Sequence, residues 1–316
     1  MACFDAYIMV DWSGGDGRRG GRADCIWVAH GAARDRAPAT TSPWSRSEAA
    51  ALLRQLLVQT GRKVLVCADF AYGYPAGFAG LLASPGRGAR PWLRVWQRLA
   101  RDLRDDIGTR PGAAATNRSN RFDVAAAINA GAAAEQGPFW CHFDAGRSPH
   151  IPQRQPAQPF TVIDAAGRAR RIESLRRTDR RAGSDTAFRL FGTGSVGSQA
   201  LTGIPRIAAL RFDDELRDHS AVWPFETGWS TRGQPWPPRG VRILHAEIYP
   251  SLLAPRRDRV KDRGQVRALW HWARDLDRAG MLAGQFARPC GLRPGSRQEA
   301  LIRGEEGWIL GCPAAD

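Results

Sequence analysis

Val64–Phe70 reads VLVCADF, five apolar residues in an unbroken run followed by an acid and an aromatic. A strand with one face in water alternates apolar and polar residues, whereas an uninterrupted apolar run belongs to a strand covered on both faces, as in the parallel part of an α/β sheet. The same pattern occurs twice more. Ala6–Trp12 (AYIMVDW) carries Asp11 and runs into Ser13, Gly14 and Gly15, while Val241–Tyr249 (VRILHAEIY) carries Glu247 and stops at Pro250. Three buried strands, each closed by a carboxylate, therefore frame the reading.

Between and around these strands the periodicity changes. Cys25–His30 (CIWVAH) reads as a second strand and Thr40–Trp44 as a short third one. Ser45 or Ser47 can cap a helix through Gln59, with Glu48 in its first turn, an apolar stripe at Leu52, Leu53, Leu56 and Leu57, and Gly61 as its stop. Pro91–Asp106, Asp123–Ala134 and Asp262–Ala279 read as further helices, the last with Val266, Leu269, Trp270, Ala273 and Leu276 on one side. Residues 144–187 hold proline and arginine runs with little apolar periodicity and read as a long excursion or flap. The order predicts an α/β fold, a mixed sheet flanked by helices. It forms a single domain over 1–316, with 71–240 as a helical and loop region inserted between the fourth and last core strands.

Composition narrows the classes. Hydrophobic residues at 43%, charged residues at 24% and 12 tryptophans describe a chain that folds rather than a disordered one. No apolar run approaches the eighteen or so residues of a membrane span, and no secretory leader pattern opens the chain, so a cytoplasmic protein without a membrane partner is expected. The six cysteines (Cys3, Cys25, Cys67, Cys141, Cys290 and Cys312) contain no CxxC pair and read as free thiols rather than zinc ligands. The six histidines show no ligand spacing, and no GxSxG elbow is present.

The formal charge of +15 and a pI near 10.8 point to a polyanionic partner, DNA or RNA. Lys63 and Lys261 are the two lysines, so almost all of the positive charge is arginine, in a background of Ala, Gly and Pro that also fits a GC-rich coding bias. Lys261 stands out on that ground, as a compact ammonium kept beside Asp262 where arginine is the rule.

The carboxylates Asp11, Asp69 and Glu247 close strands that would lie side by side, and Asp262 opens the helix after the last of them. Oxygen ligands at one sheet edge suit a hard cation, Mg2+ or Mn2+, and such a site can drive hydrolysis of a phosphodiester. Each acid also has an ordinary use, ending a strand or capping a helix. Asn120, Arg121 and Asp123 (in SNRFD) form a polar cluster before a helix, which either presents Arg121 to a phosphate or caps the helix. Ser13 lies in the loop after Asp11. Phe70, Tyr72, Tyr74 and Phe78 around Asp69 either stack on a base or pack in the core. Gly192–Gly197 (GTGSVG) is a phosphate-cradling turn or a plain tight turn; it lacks a following GK[ST].

The order of elements, with acids on the first strand, the fourth strand, and the final strand and helix, resembles the ribonuclease-H-like fold. VDWSGG, ADFAYGYP, NRFD, AEIYPSLL, VKDRGQVR and EEGWILG together resemble a family of predicted nucleases with that fold, otherwise described as a domain of unknown function, over Val10 to Gly311. Similar sequences also carry labels from molybdopterin-guanine-dinucleotide or cobalamin synthesis. The resemblance implies metal ligation by Asp11, Asp69 and a C-terminal acid. Many relatives place that acid deep in the last helix beside an alanine, and here Asp262, Asp275 and Asp277 compete for the role.

The expected function is a divalent-metal-dependent nuclease or phosphodiesterase. Asp11, Asp69, Glu247 and Asp262 serve as metal and catalytic residues, Lys261 stands beside them, and Arg121, Asn120, Asp123, Tyr72 and Ser13 face the substrate. Two alternatives stay open: an actin-like nucleotide hydrolase or phosphotransferase, in which VDWSGG and GTGSVG bracket a nucleotide, and a non-catalytic module binding nucleic acid or protein.

Overall fold

The computed structural model describes residues 2–17, 19–82, 90–110, 112–132, 137–144, 148–164, 167–192, 195–254 and 257–312. The chain opens with β1 (Ala6–Asp11), β2 (Trp27–Ala32), β3 (Ala39–Thr41), α1 (Arg46–Thr60) and β4 (Val64–Ala68). There follow α2 (Pro91–Asp102), α3 (Arg121–Gly131), β5 (Phe160–Ile163), β6 (Ala169–Ile172), α4 (Arg177–Ala182), α5 (Val196–Arg211) and β7 (Ser220–Val222). It closes with β8 (Ile243–Ile248), α6 (Lys261–Arg278), α7 (Leu282–Gln285), α8 (Arg297–Leu301) and β9 (Ile309–Leu310).

The main sheet runs β3-β2-β1-β4-β8-β7. β2 lies antiparallel to both β1 and β3, while β4 and β8 run parallel to β1. With Val10 opposite Ala68 and Ala68 opposite Glu247, the three acid-bearing strands end at one edge of the sheet. β8 is not the last strand of the sheet. β4 occupies one of its sides, and β7 and β9 share the other in tandem, pairing with Ile243–His245 and with Glu247–Ile248. Strands of three and two residues are too short to leave a readable periodicity in the sequence.

Alternation within the continuous apolar strands builds two cores. Ile8, Val10, Val64, Val66 and Ala68 pack with α1, α2, α3 and α5 on one face. Tyr7, Met9, Leu65, Cys67, Leu244 and Ala246 pack with Val266, Leu269, Trp270 and Ala273 of α6 on the other. Helices on both faces are the physical reason those strands show no polar alternation. α1 is capped by Ser45, whose hydroxyl accepts from the Glu48 amide at 3.1 Å, and it ends at Gly61 in the left-handed conformation. All six cysteines are free thiols. Among the described residues no helix is long and apolar enough to cross a membrane.

The described part of residues 144–187 is structured, which corrects the expectation of a flap. β5 and β6 form an antiparallel hairpin, and α4 follows. Its anchorage is ionic rather than apolar, so a hydrophobic-periodicity reading passes over it. Arg176, 1% exposed, bridges Asp179 and Glu247 and also donates to the Glu306 carbonyl. Gly73 of ADFAYGYP fits under the C-terminal segment because a Cβ there would run into the Glu305 and Glu306 carbonyls. Two of the quoted motifs thus meet in space.

Candidate active site

A cleft of about 870 Å³ opens over the edge where β1, β4 and β8 end. Its floor and walls include Asp11, Asp69, Glu247 and Asp262, together with Ser13 and Arg121. Strand direction delivers the first three, and the start of α6 delivers Asp262. The Asp69 carboxylate sits against the residue following Asp11, its Oδ1 accepting from the Trp12 amide at 2.6 Å. Asp262 Oδ2 accepts from the Asp24 amide at 2.7 Å, and Asp24, with φ of 58°, also lines the cleft. Of Asp262, Asp275 and Asp277, Asp262 is the one that lines the cleft. Asp277 lies about 22 Å along the helix axis from Asp262, its oxygens taken by the amides of Cys3 and Phe4 and the Tyr7 hydroxyl. Asp275 pairs with Arg274.

Burial pushes the Asp11 carboxyl well above the usual carboxylate range, and the charges of Asp69, Asp262 and Asp24 push it further against the opposing pull of Lys261. Loss of hydration raises Asp69 to about 7, with Asp262 adding to it and the Trp12 amide holding it back. Asp262 is raised by the same two causes, burial first and then the charge of Asp24. These carboxylates repel one another in a place where water reaches them poorly.

The sign of that repulsion is testable. A carboxyl whose folded-state pKa lies above its unfolded value weakens the fold progressively as pH rises from about 4 to about 7, with the full cost above that window. Asp69→Asn keeps an oxygen for the Trp12 amide and removes the charge. Its melting temperature should exceed that of the wild type at pH 8 by the equivalent of a few kcal/mol at most, and the gain should shrink to nothing near pH 4. Melting curves across that range, with a gain independent of pH, would contradict the assignment.

Glu247 departs from its expected role. Both of its oxygens are engaged by Arg176, at 2.7 and 2.6 Å, and Oε2 also accepts from the Tyr72 amide at 3.0 Å. Its carboxyl forms part of a buried ion pair in the cleft wall. Among the described residues no group of three or more His, Cys, Asp or Glu side chains is gathered to hold a metal ion. The four expected ligands are neighbours around one cleft, not one preformed cage.

Other expected site residues separate cleanly. Arg121 is buried and lines the cleft, its Nε donating to Ser198 Oγ at 3.1 Å and its Nη1 to Asp16 Oδ1 at 2.5 Å and Ser119 Oγ at 2.9 Å. Asn120 instead secures the end of α2, accepting from the Arg104 amide and donating to the Asp102 carbonyl. Asp123 is exposed in the first turn of α3 and is not part of the cleft wall. Tyr72 is fully buried, as are Phe70, Tyr74 and Phe78, so these rings pack the core and offer no face to a base. Lys261 is exposed at the first position of α6. It does not line the cleft, although its charge acts on Asp11 and Asp262.

Comparison with protein-family models, with curated proteins and with solved structures finds no match.

Both glycine-rich loops contribute to the cleft lining, and the first packs against the helix that follows the second. A Cβ on Gly14 would approach the Ser198 carbonyl carbon to 2.6 Å, so only glycine lets the loop after β1 lie against the first turn of α5. Gln199 Nε2 reaches back to the Trp12 carbonyl at 2.6 Å, and the Trp12 indole donates to Thr202 Oγ1 at 3.1 Å. Gly192, Ser195 and Val196 line the same cleft, while Thr193 and Gly194 of GTGSVG lie outside the described residues. Periodicity gave no sign of Asp24, Asp16, Asp179, Asp185 or Arg176 as cleft residues. Asp24 and Arg176 come in from loops, and spacing along the chain does not say where a loop residue ends up.

Proposed function

We propose that this protein is a divalent-metal-dependent phosphodiester hydrolase acting on nucleic acid, built on a ribonuclease-H-like sheet. The observation that carries this reading is the convergence of Asp11, Asp69 and Asp262 from three elements into one cleft, where Asp69 and Asp262 raise the proton affinity of Asp11 and Asp262 raises that of Asp69. Like charges held together in a water-poor place call for a cation. The strand order, with β2 the reversed strand beside β1, supports the fold assignment.

The absence of a three-carboxylate cage among the described residues is compatible with Mg2+ or Mn2+, because Mg2+ is commonly held by one or two carboxylates together with waters and substrate phosphates. Asp11 and Asp69 are the two that fit, with hard oxygen donors at the ends of adjacent parallel strands. A bound divalent cation would supply Lewis-acid polarisation of a phosphoryl oxygen. Asp262, fixed through one oxygen by the Asp24 amide, has its second oxygen to orient water in the cleft. Arg121, held by Ser198 and Ser119, meets the phosphate in the same cleft, exchanging its contact with the half-exposed Asp16. Glu247, neutralised by Arg176, keeps the wall between them rigid. The excess of arginine over the whole chain favours a polyanion.

The test is incubation of the protein with labelled single-stranded and duplex DNA and RNA in Mn2+ or in EDTA. Cleavage in Mn2+ alone is expected. No cleavage of any of the four, together with a melting temperature that Mn2+ leaves unchanged at pH 8, would overturn the reading. The presence of both glycine-rich loops in the cleft lining favours one rival, a nucleotide hydrolase whose phosphates lie in the cleft against those loops. Thermal stabilisation by ATP but not by oligonucleotides would select it.

A further inference from the structure

The cleft carries a second chemical character at its rim. Phe143 is 50% exposed and Phe191 49% exposed, and both line the cleft that holds the carboxylates. An isolated exposed phenyl ring needs no explanation, but two on the lip of one charged cleft do. Their centroids lie 6.3 Å apart with planes inclined at 58°. Phe143 is backed from within by His142, stacked at 4.5 Å, and by Phe122 at 5.1 Å. Phe122 in turn lies under the Arg121 guanidinium, 4.6 Å from ring centroid to Cζ. One run of contacts thus leads from the cation that faces the cleft to an open aromatic ring at its mouth.

We infer that Phe143 and Phe191 form a platform on which an unpaired base of a single-stranded nucleic acid stacks while its phosphate lies against Arg121. The inference rests on the reading of the cleft as a phosphodiester site and adds the strand state of the substrate. A ligand with an anionic backbone and flat apolar rings at short intervals matches a cleft that sets Arg121 in its wall and two aromatic rings on its lip, once the carboxylates are offset by the divalent cation of the proposed function. A paired base in a duplex offers no open face to such a lip. The ring geometry also limits how the base sits. A base sandwiched between two rings needs about 7 Å between parallel planes, two van der Waals spacings, so at 6.3 Å and 58° the base lies on one open ring face with the other ring against its edge. The rings for which the sequence left stacking or packing open, Phe70, Tyr72, Tyr74 and Phe78, are buried in the core and leave this role open.

Fluorescence anisotropy with a labelled single-stranded hexanucleotide and with the base-free strand of equal length, both in Ca2+ at fixed salt, tests the platform. The wild-type protein should bind the base-bearing strand about tenfold more tightly, the equivalent of about 1.4 kcal/mol. Phe143→Ala/Phe191→Ala should bring the two strands to equal affinity, and Phe143→Tyr/Phe191→Tyr should keep the preference. Equal affinity of the wild type for both strands would overturn the platform and leave the phosphodiester reading standing. Binding of neither strand would overturn both. A preference that survives the double alanine variant, checked by near-UV circular dichroism for an intact core, would place base recognition elsewhere and also overturn the inference. The comparison of the two strands on the wild type needs no variant to fold.

Discussion

Asp11→Asn is expected to reduce metal-dependent hydrolysis by about 10³-fold or more, since loss of groups one shell beyond a metal's ligands already costs about 10- to 100-fold. The substitution is nearly isosteric and takes away the charge on which the proposed cation binding depends. Asp11 is buried at the end of β1, paired in register with Trp27, and its carboxyl is the one on which Asp69, Asp262 and Asp24 all act. The fold should not suffer. Removing a desolvated charge among like charges relieves repulsion, so the melting temperature at pH 8 should match or exceed that of the wild type while stabilisation by Mn2+ disappears. An unchanged rate with Mn2+ over the DNA and RNA panel would remove Asp11 from the chemistry. A fall in rate accompanied by loss of the native near-UV spectrum would instead assign the residue to folding.

Arg176→Met is expected to destabilise the protein by about 3–5 kcal/mol, the cost of leaving a buried partner charge uncompensated. Both side chains that it bridges, Asp179 and Glu247, are also buried. In a chain of this size that corresponds to a fall in melting temperature of about 5–8 °C. Burial raises the Glu247 carboxyl, with Arg176 acting in the opposite direction. Without the arginine the carboxyl should take up a proton more readily, so the deficit should narrow as pH is lowered from 8 to 5. Arg176→Met/Glu247→Gln should recover part of the loss, because the double variant leaves one stranded charge fewer. Chemical denaturation of the three proteins measures this, and additive losses would show that the pair does not act as a unit.

The ion pair explains how a segment with few apolar residues is held at the cleft. Arg177 reaches Glu306 at 2.5 Å, Glu306 accepts from the Ala76 amide, and Glu305 accepts from the amides of Gly77 and Ala79. The loop after β4, the start of α4 and the C-terminal segment are tied together by carboxylates and guanidinium groups. Asp179, Ser184 and Asp185 reach the cleft wall through that tie.

What the chain alone determined is the framework. Continuous apolar runs with an acid at the end mark β1, β4 and β8 as strands covered on both faces, and their common direction follows from helical connections too long for hairpins. That places Asp11, Asp69 and Glu247 at one edge before any coordinate is seen, and the capped, amphipathic α1 and α6 are legible for the same local reason. Tertiary structure decided which of those acids is held in a buried ion pair and which lines the cleft outside that pair. Glu247 and Asp69 read alike in sequence, yet Glu247 meets Arg176, 71 residues away, while Asp69 faces the cleft beside Trp12. The same holds for the aromatics. Tyr72 lies in a motif and is sealed in the core, whereas Phe143 and Phe191 lie in loops and stand at the rim. Periodicity reports the face of a strand or helix because neighbouring residues share its geometry. A loop residue or a buried ion pair is placed by long-range packing, which spacing along the chain does not encode.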